Sequence, residues 1–272
     1  MSRLRFGIKI LKKIFSTPSS LYQVLNPPAE DGRFGQSYVE AKYGLTRLKT
    51  VNALDVVSAF DEKIDHYSYL PGTSLVVDIA LLKALCRDRP NCSYLEIGTW
   101  RGESIANVST VAETCVSVTL GEKEMRALGM SDKAMDLHSF YIEEDMNIRE
   151  VHADSTKFDF DSLNQKFDVI FIDGDHSKPG VESDSRKMFD MLKDDKSVIV
   201  WHDYGWDTER IRYNTLAGIL DGSPSWAHPH IYHVNGTKCA LFTKEKVATF
   251  DAARYDLPRV NFNHTIAATK IN

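Results

Sequence analysis

From about residue 70, segments with strand character alternate with segments of helical spacing, and this alternation constrains the fold more than any other feature. Runs rich in valine and isoleucine, such as "FDVIFID" and "SVIVWHDY", are each followed by a helix-like segment. Strict alternation of this kind builds a parallel sheet covered by helices on both faces. Asn235-Gly236 lies between two apolar runs near the C-terminus and predicts a hairpin. The fold class predicted is α/β: a Rossmann-like, doubly wound, mostly parallel seven-stranded sheet with a C-terminal antiparallel hairpin.

Residues 1–70 lack this alternation and are predicted to form an N-terminal helical extension. On a helix, one face of its first segment is apolar and another is basic. Such a segment can pack on its own domain, on a second subunit or on an anionic membrane surface. We therefore expect a homo-oligomer or a peripheral membrane contact through residues 4–15. The apolar face consists of Leu4, Ile8, Leu11 and Phe15, and the basic face of Arg5, Lys9, Lys12 and Lys13.

Net charge and cysteine spacing narrow the class of protein. The formal net charge is −5 and the sequence pI is about 6.0, so no overall basic field favours nucleic acid as a partner. The four cysteines are scattered and form no C-x-x-C pair. Reduced cysteines buried in a core are typical of cytosolic proteins. We expect a cytoplasmic protein, with a peripheral membrane contact left open.

Polar and glycine residues follow the predicted strands at the edge where such sheets bind ligands, outside the carboxyl ends of the strands. The first strand ends in Glu96-Ile-Gly98-Thr-Trp-Arg-Gly102, a turn into a helix. Glycines there let backbone approach a ligand closely, and the helix N-terminus favours an anionic group. The spacing is not G-x-G-x-x-G, which disfavours a dinucleotide site.

The next four strand ends also carry groups suited to binding or catalysis. Glu122, after the second strand, offers a carboxylate for a ribose diol, and Asp154-Ser155, after the third, suits an adenine amine. Because parallel neighbours end at one edge, we expect the residues of the fourth and fifth strand ends to lie close together. Those residues are Asp173, Asp175 and His176 after the fourth strand, and His202 and Asp203 after the fifth.

Four motifs together resemble a known family. They are "LEIGTWRGES", "HADS", "FDVIFIDGDHSKPGVESD" and "VIVWHDY". The chain resembles class I S-adenosylmethionine-dependent methyltransferases of the type-24 methyltransferase domain family, which is similar to macrocin-type and caffeoyl-CoA-type O-methyltransferases. The resemblance covers roughly residues 72 to 245 and implies a methyltransferase domain over residues 71–272. One departure is that Glu122 lies later than the family's acidic residue at the second strand.

The resemblance implies an activity and a set of site residues. The expected reaction is methyl transfer from S-adenosylmethionine to a hydroxyl of a small molecule or sugar. A divalent metal, Mg²⁺ or Mn²⁺, would assist through Asp173, His202 and Asp203, and Asp175 or His176 would be the general base. The residues expected to bind the cofactor are Glu96, Gly98, Thr99, Gly102, Ser104, Glu122, Asp154, Ser155 and Asp173.

Two other functional classes stay open at this stage. Asp173, His176 and His202 could mimic the two histidines and one carboxylate of a metal-dependent oxygenase on the same fold. The chain could also be a non-catalytic scaffold that acts through its N-terminal helix. Methyl transfer to a panel of acceptors separates the first reading from both alternatives.

Overall fold

A computed structural model describes residues 28–253 and 256–271 of the chain. Within these residues, an eight-stranded sheet has the order β1-β7-β8-β6-β5-β2-β3-β4. This order places β2, β5 and β6 side by side in the middle of the sheet. The strands are β1 (Lys49–Val51), β2 (Ser93–Ile97), β3 (Thr114–Thr119), β4 (Ile148–His152), β5 (Val169–Ile172), β6 (Val198–Trp201), β7 (Ile231–Val234) and β8 (Ala240–Phe242).

Helices connect the strands and cover both faces of the sheet. Gly129, with φ 77°, lies between two short helices, Glu122–Ala127 and Asp132–Met135. The left-handed backbone at that position suits glycine and ends the first of the two. The helices are α1 (Pro28–Tyr43), α2 (Val76–Arg87), α3 (Glu103–Val108), α4 (Glu122–Ala127), α5 (Asp132–Met135), α6 (Lys178–Met188) and α7 (Tyr213–Gly222).

The strand directions confirm the predicted doubly wound α/β fold. β8 runs antiparallel to β6 and β7, and the remaining pairs of neighbouring strands are parallel. Alternate residues of the central strands point to opposite faces. In β5, for example, Ile170 and Ile172 pack in one apolar cluster, and Val169 and Phe171 pack in the other. Both faces are therefore buried, as the continuous apolar runs predict.

The strand β1 corrects the predicted count of seven strands to eight. It lies within the segment predicted to be a helical extension and pairs in parallel with β7, where Thr50 lies opposite His233. Its three residues, Lys49–Val51, are too few to show the alternation by which a strand is recognised. The boundary proposed at residue 70 stays a prediction.

The helix α1 is held to the domain by one buried carboxylate. Asp221 of α7 accepts a hydrogen bond from the Tyr38 hydroxyl at 2.7 Å and from Lys42 Nζ at 2.8 Å, and it pairs with Lys178 Nζ at 2.5 Å. Burial alone disfavours the charge, but Lys178 and Lys42 hold the pKa of Asp221 well below its usual range. The predicted stripe Leu4, Ile8, Leu11 and Phe15 lies outside the described residues.

Two further expectations concern the cysteines and the membrane. All four cysteines are buried and free, in agreement with reduced core thiols. Over the residues that the structure describes, no helix combines the length and apolarity needed to cross a bilayer.

Candidate active site

Backbone hydrogen bonds hold the carboxyl ends of the three central strands side by side. Asp173 N donates to Ile97 O at 2.8 Å, joining the end of β5 to β2. His202 N donates to Ile172 O at 3.0 Å, joining the end of β6 to β5. The residues that follow these strands therefore share one small region, as the parallel order predicts.

The turn after β2 needs glycine because two strand ends meet there. Gly98 has φ +85°, and a Cβ at this position would lie 2.3 Å from Asp173 O and 2.6 Å from Gly174 Cα. The space beside Gly98 is thus filled by the backbone that follows β5, where the sequence predicts room for a ligand. Gly102, with φ +82°, is the N-cap of α3 and packs against Ile142.

Three residues predicted to bind the cofactor, Glu96, Thr99 and Ser104, are buried beside this turn and form hydrogen bonds within the protein. Glu96 is fully buried and accepts hydrogen bonds from Tyr94 Oη at 2.6 Å and Ser104 Oγ at 2.8 Å. Thr99 is also buried, and its hydroxyl contacts the hydroxyl of Ser117. Burial raises the pKa of Glu96 to about 8, against the opposing effect of its two hydrogen bonds. Glu96 is therefore largely protonated at neutral pH.

The residues after β3 and β4 have partners of their own. The Glu122 carboxylate, 69% exposed, pairs with Arg126 at 2.7 Å on the surface of α4, and no described contact brings it to the residues after β2. Asp154 Oδ1 accepts hydrogen bonds from the amide and hydroxyl of Thr156 at 3.0 and 2.6 Å. Ser155 follows directly. The ribose role of Glu122 and the adenine role of Asp154 and Ser155 stay predictions.

A buried carboxyl beside these loops has acceptor capacity left over and fits a ligand at this edge. Asp184 of α6 is 1% exposed, and its oxygens make no hydrogen bond of full geometry within the described part of the chain, although the Ser155 side chain lies near enough to lower its pKa. A Cβ on Gly174 would lie 3.5 Å from Asp184 Oδ2. Burial, reinforced by nearby Asp175 and Asp154, raises the pKa of Asp184 to about 6. A ligand carrying N–H donors, such as an adenine amine, would suit this acceptor.

The histidine after β6 lies between two carboxylates. His202 Nδ1 is 3.0 Å from Asp173 Oδ1, and His202 Nε2 is 3.1 Å from Asp78 Oδ2. Burial disfavours a charged ring, but Asp173 and Asp78 together raise the pKa of His202 to about 10. The ring is therefore a protonated imidazolium at neutral pH, with a carboxylate acceptor for each ring N–H.

The second carboxylate of the site is surrounded by basic side chains. Asp203 Oδ2 lies 2.5 Å from Arg212 Nη1 and 3.3 Å from His176 Nε2, and Oδ1 lies 2.8 Å from Lys238 Nζ. Burial opposes its charge, but His202, His176 and Lys238 lower the pKa of Asp203 to about 2. Asp203 also has φ 55°, a strained conformation for a residue with a side chain. Such strain is common at functional sites.

The side chains at this position include three that could together approach a metal ion. One ligand atom from each of Asp173, His176 and Asp203 lies within 4.8 Å of the others. A cation would nevertheless have to displace Arg212 and Lys238 from Asp203. His202, with both ring nitrogens engaged by carboxylates, offers no lone pair to a metal ion. The residues present do not fit a resident metal, so the predicted metal assistance finds no support in this arrangement.

The two candidates for the general base differ in their surroundings. Both oxygens of Asp175 accept hydrogen bonds from Ser177, from its amide at 2.9 Å and its hydroxyl at 2.6 Å. Ser177 in turn caps α6. Asp175 thus stabilises a helix start. The His176 side chain is 41% exposed and directs Nε2 to Asp203. His176 is the candidate better placed to exchange a proton with a bound acceptor.

Three residues of the site escape the sequence analysis. They are Asp78 of α2, Arg212 in the segment before α7, and Lys238 in the β7–β8 hairpin. Asp78 is a lone acid in the apolar run "SLVVDIALL", and a buried acid in such a run needs a partner. The local sequence therefore contains a signal for a buried, partnered acid at Asp78. The pairing of Arg212 and Lys238 with Asp203 has no comparable local signal.

Comparison with known proteins gives a family for the centre of the chain. Residues 95–204 match the family model described as a methyltransferase domain. The match falls on the segment that carries the methyltransferase-like motifs. The matched segment runs from β2 to the residues just after β6 and thus contains Gly98, Asp173, His202 and Asp203. No curated protein sequence matches the chain.

Solved structures of methyltransferases resemble the chain at low identity. A TehB-like S-adenosylmethionine-dependent methyltransferase from Corynebacterium glutamicum is 17% identical with a TM-score of 0.41, over 64% of this chain and 90% of that one. CalS10, an amino pentose methyltransferase from Micromonospora echinaspora, is 17% identical with a TM-score of 0.37, and the match covers 54% of this chain and 62% of that one. TrmN from Thermus thermophilus is 16% identical with a TM-score of 0.37, and the match covers 60% of this chain and 47% of that one. Similarity at this level does not identify a substrate.

Proposed function

We propose that the chain transfers the methyl group of S-adenosylmethionine to a hydroxyl of a small molecule or sugar, with His176 as the general base. When bound, S-adenosylmethionine supplies a methyl group already activated by its sulfonium. The chain's own tasks are to hold the acceptor hydroxyl in line with that methyl group and to accept the hydroxyl proton.

The proton step follows from the contact between His176 and Asp203. His176 Nε2 lies 3.3 Å from Asp203 Oδ2, so in this proposal Nε2 carries the ring proton and Nδ1 is the atom that accepts the proton of the acceptor. As the acceptor oxygen bonds to the methyl carbon, the carbon–sulfur bond breaks and its electron pair stays on sulfur. The hydroxyl proton passes to His176 Nδ1, and Asp203 stabilises the imidazolium that forms.

The observation that carries this proposal is the position of the His176–Asp203 pair. The pair lies at the carboxyl ends of β5 and β6, within a segment that matches a methyltransferase domain. The ends of these strands are fixed to each other and to β2 by backbone hydrogen bonds. His176 lies in the short segment between β5 and α6, which starts at this fixed edge, and this helps to keep the geometry that methyl transfer requires.

The structure offers little support for the two alternative classes. A metal-dependent oxygenase would need His202 as a ligand, and that ring is held between Asp78 and Asp173. A scaffold acting through residues 4–15 would not require the strained backbone of Asp203 or the cations around its carboxylate. We also propose a cytoplasmic location, consistent with four free buried cysteines.

Methyl transfer to a panel of hydroxyl acceptors tests the proposal. Purified protein is incubated with methyl-labelled S-adenosylmethionine and small phenols, sugars and hydroxy acids, with and without a chelator. The expected product is a methyl ether, formed equally with chelator present. Transfer only to nitrogen or carbon acceptors would contradict O-methylation, and loss of turnover on chelation would contradict the metal-free mechanism.

A further inference from the structure

A single buried carboxylate on α2 contacts two residues, His202 and Lys238, whose basic groups face the carboxylates of the site. Asp78, with 0% of its surface exposed, accepts a hydrogen bond from His202 Nε2 at 3.1 Å. It also accepts from the backbone amides of Lys238 at 3.0 Å and Leu75 at 2.9 Å. The last contact closes the first turn of α2, so the position of Asp78 is fixed from its own helix.

These contacts extend to the residues of the proposed chemistry. His202 bonds Asp173 through its other ring nitrogen, at 3.0 Å. Lys238, whose backbone is held by Asp78, extends its ammonium group to Asp203 at 2.8 Å. Each carboxylate at the strand ends is therefore paired with a cation whose position depends on Asp78. Asp78 itself touches neither Asp203 nor His176 in the described contacts.

We propose that Asp78 is a positioning residue for the transfer reaction, which fixes His202 and Lys238 and through them orients Asp173 and Asp203. The proposal rests on the proposed methyltransferase function. Asp78 lies outside residues 95–204, the segment that matches a methyltransferase domain. The part of the chain before that segment thus contributes a residue on which the geometry of the site depends.

The charge of Asp78, and not its shape alone, contributes to the orientation of the His202 ring. The His202 ring faces Asp78 from α2, Asp173 from the end of β5, and Asp203 at 3.5 Å from the end of β6, with the mostly neutral Glu96 nearby. With Asp78 ionised, the ring N–H groups are directed to Asp78 and Asp173. Without that charge, the ring is free to turn towards Asp203 and away from Asp173.

The test is the variant Asp78→Asn, compared with Asp88→Asn at the far end of the same helix. Asp88 also accepts a hydrogen bond from a backbone amide, that of Ser58 at 2.5 Å, but contacts no residue of the site. We expect Asp78→Asn to lower kcat at least about tenfold, with KM for S-adenosylmethionine and affinity for S-adenosylhomocysteine changed by less than about twofold. Asp88→Asn should leave kcat unchanged.

A second readout does not depend on activity or on a stable variant. In the wild-type protein, proton NMR with labelled histidine should show a slowly exchanging His202 Nε2–H, shifted downfield by its bond to Asp78. A His202 ring without that proton would overturn the proposal. So would an Asp78→Asn variant that loses thermal stability but keeps kcat, or equal losses of kcat in both variants.

The two proposals fail in different ways. Wild-type protein that binds no S-adenosylhomocysteine would overturn the proposed function. The His202 proton would then still decide whether Asp78 fixes the ring. Normal methyl transfer by folded Asp78→Asn would overturn the role of Asp78 and leave the proposed function intact.

Discussion

At the scale of single residues, His176 and Asp175 are sequence neighbours with opposite roles. Asp175 is committed to Ser177 at the start of α6, whereas His176 contacts the carboxylate of Asp203. Exposure alone does not distinguish them, because both are exposed. What separates them is whether a proton-accepting atom remains after the contacts within the protein are made.

This difference predicts how the two variants behave. His176→Asn should reduce methyl transfer at least about a hundredfold, because a positioned general base typically contributes that much. Asp175→Asn should retain turnover within about threefold and lower the melting temperature slightly through the weakened start of α6. Steady-state kinetics with calorimetric binding of S-adenosylhomocysteine measures both. The reverse ranking would make Asp175 the base.

The protonation of Glu96 predicts a pH dependence of stability. Its pKa of about 8 in the folded chain exceeds its ordinary value of 4.5, so between these values the folded state holds a proton that the unfolded state has released. The free energy of unfolding therefore falls as pH rises through this window. Glu96→Gln removes this contribution. Between pH 5 and pH 8, the free energy of unfolding of the variant should fall by less than that of the wild type, and the two decreases should differ by at least about 1 kcal/mol.

Denaturant unfolding of both proteins at several pH values measures this difference. His202 contributes a dependence of the same sign at higher pH, since its pKa is raised from 6.5 to about 10: its stabilisation is fully present below 6.5 and is lost as the pH rises towards 10. Both proteins share this contribution, so it cancels in the comparison. Parallel stability curves for wild type and Glu96→Gln would mean that Glu96 is ionised in the folded state.

At the scale of elements, the turn after β2 depends on the close approach of β5. Gly98→Ala would place a methyl group 2.3 Å from Asp173 O, whereas Gly129→Ala meets nothing within 4 Å. Both glycines have positive φ, +85° and +77°, so both alanine variants carry the cost of a left-handed backbone. The difference in stability between the two variants therefore reports the steric clash at Gly98 alone. Gly129→Ala should cost about 1 kcal/mol, and Gly98→Ala more than about 3 kcal/mol, because the strand ends must move apart.

Thermal and denaturant unfolding of these two variants checks the prediction. Gly98→Ala should also weaken binding of S-adenosylhomocysteine, because the turn and the segment after β5 shift together. Equal losses of stability in the two variants would show that the ends of β2 and β5 separate without cost.

The same elements show what the sequence can and cannot predict. Strands β2 to β8 carry apolar runs or a turn pair, so their order along the chain is readable from local pattern. The meeting of Asp173 with His202 follows because parallel neighbours end at one edge. The cations around Asp203 come from a loop and a hairpin, in Arg212 and Lys238, and the direction of such side chains depends on tertiary packing that local sequence does not encode.

At the scale of the whole molecule, the apolar face of residues 4–15 is expected to pack on its own domain, on a second subunit or on an anionic membrane surface. We predict that deletion of residues 1–20 changes the oligomeric state or the binding to anionic liposomes and leaves cofactor affinity unchanged. Sedimentation and liposome flotation of the full and shortened chains measure this. Identical behaviour of both chains would remove any role for the segment in assembly or membrane contact.

The central claim is that the carboxyl edge of the sheet binds S-adenosylmethionine, and calorimetric titration of the purified chain with S-adenosylhomocysteine tests it most directly. Saturable binding at a single site is predicted, retained in Asp175→Asn and weakened in Gly98→Ala. The absence of binding by folded wild-type protein at high ligand concentration would contradict the account.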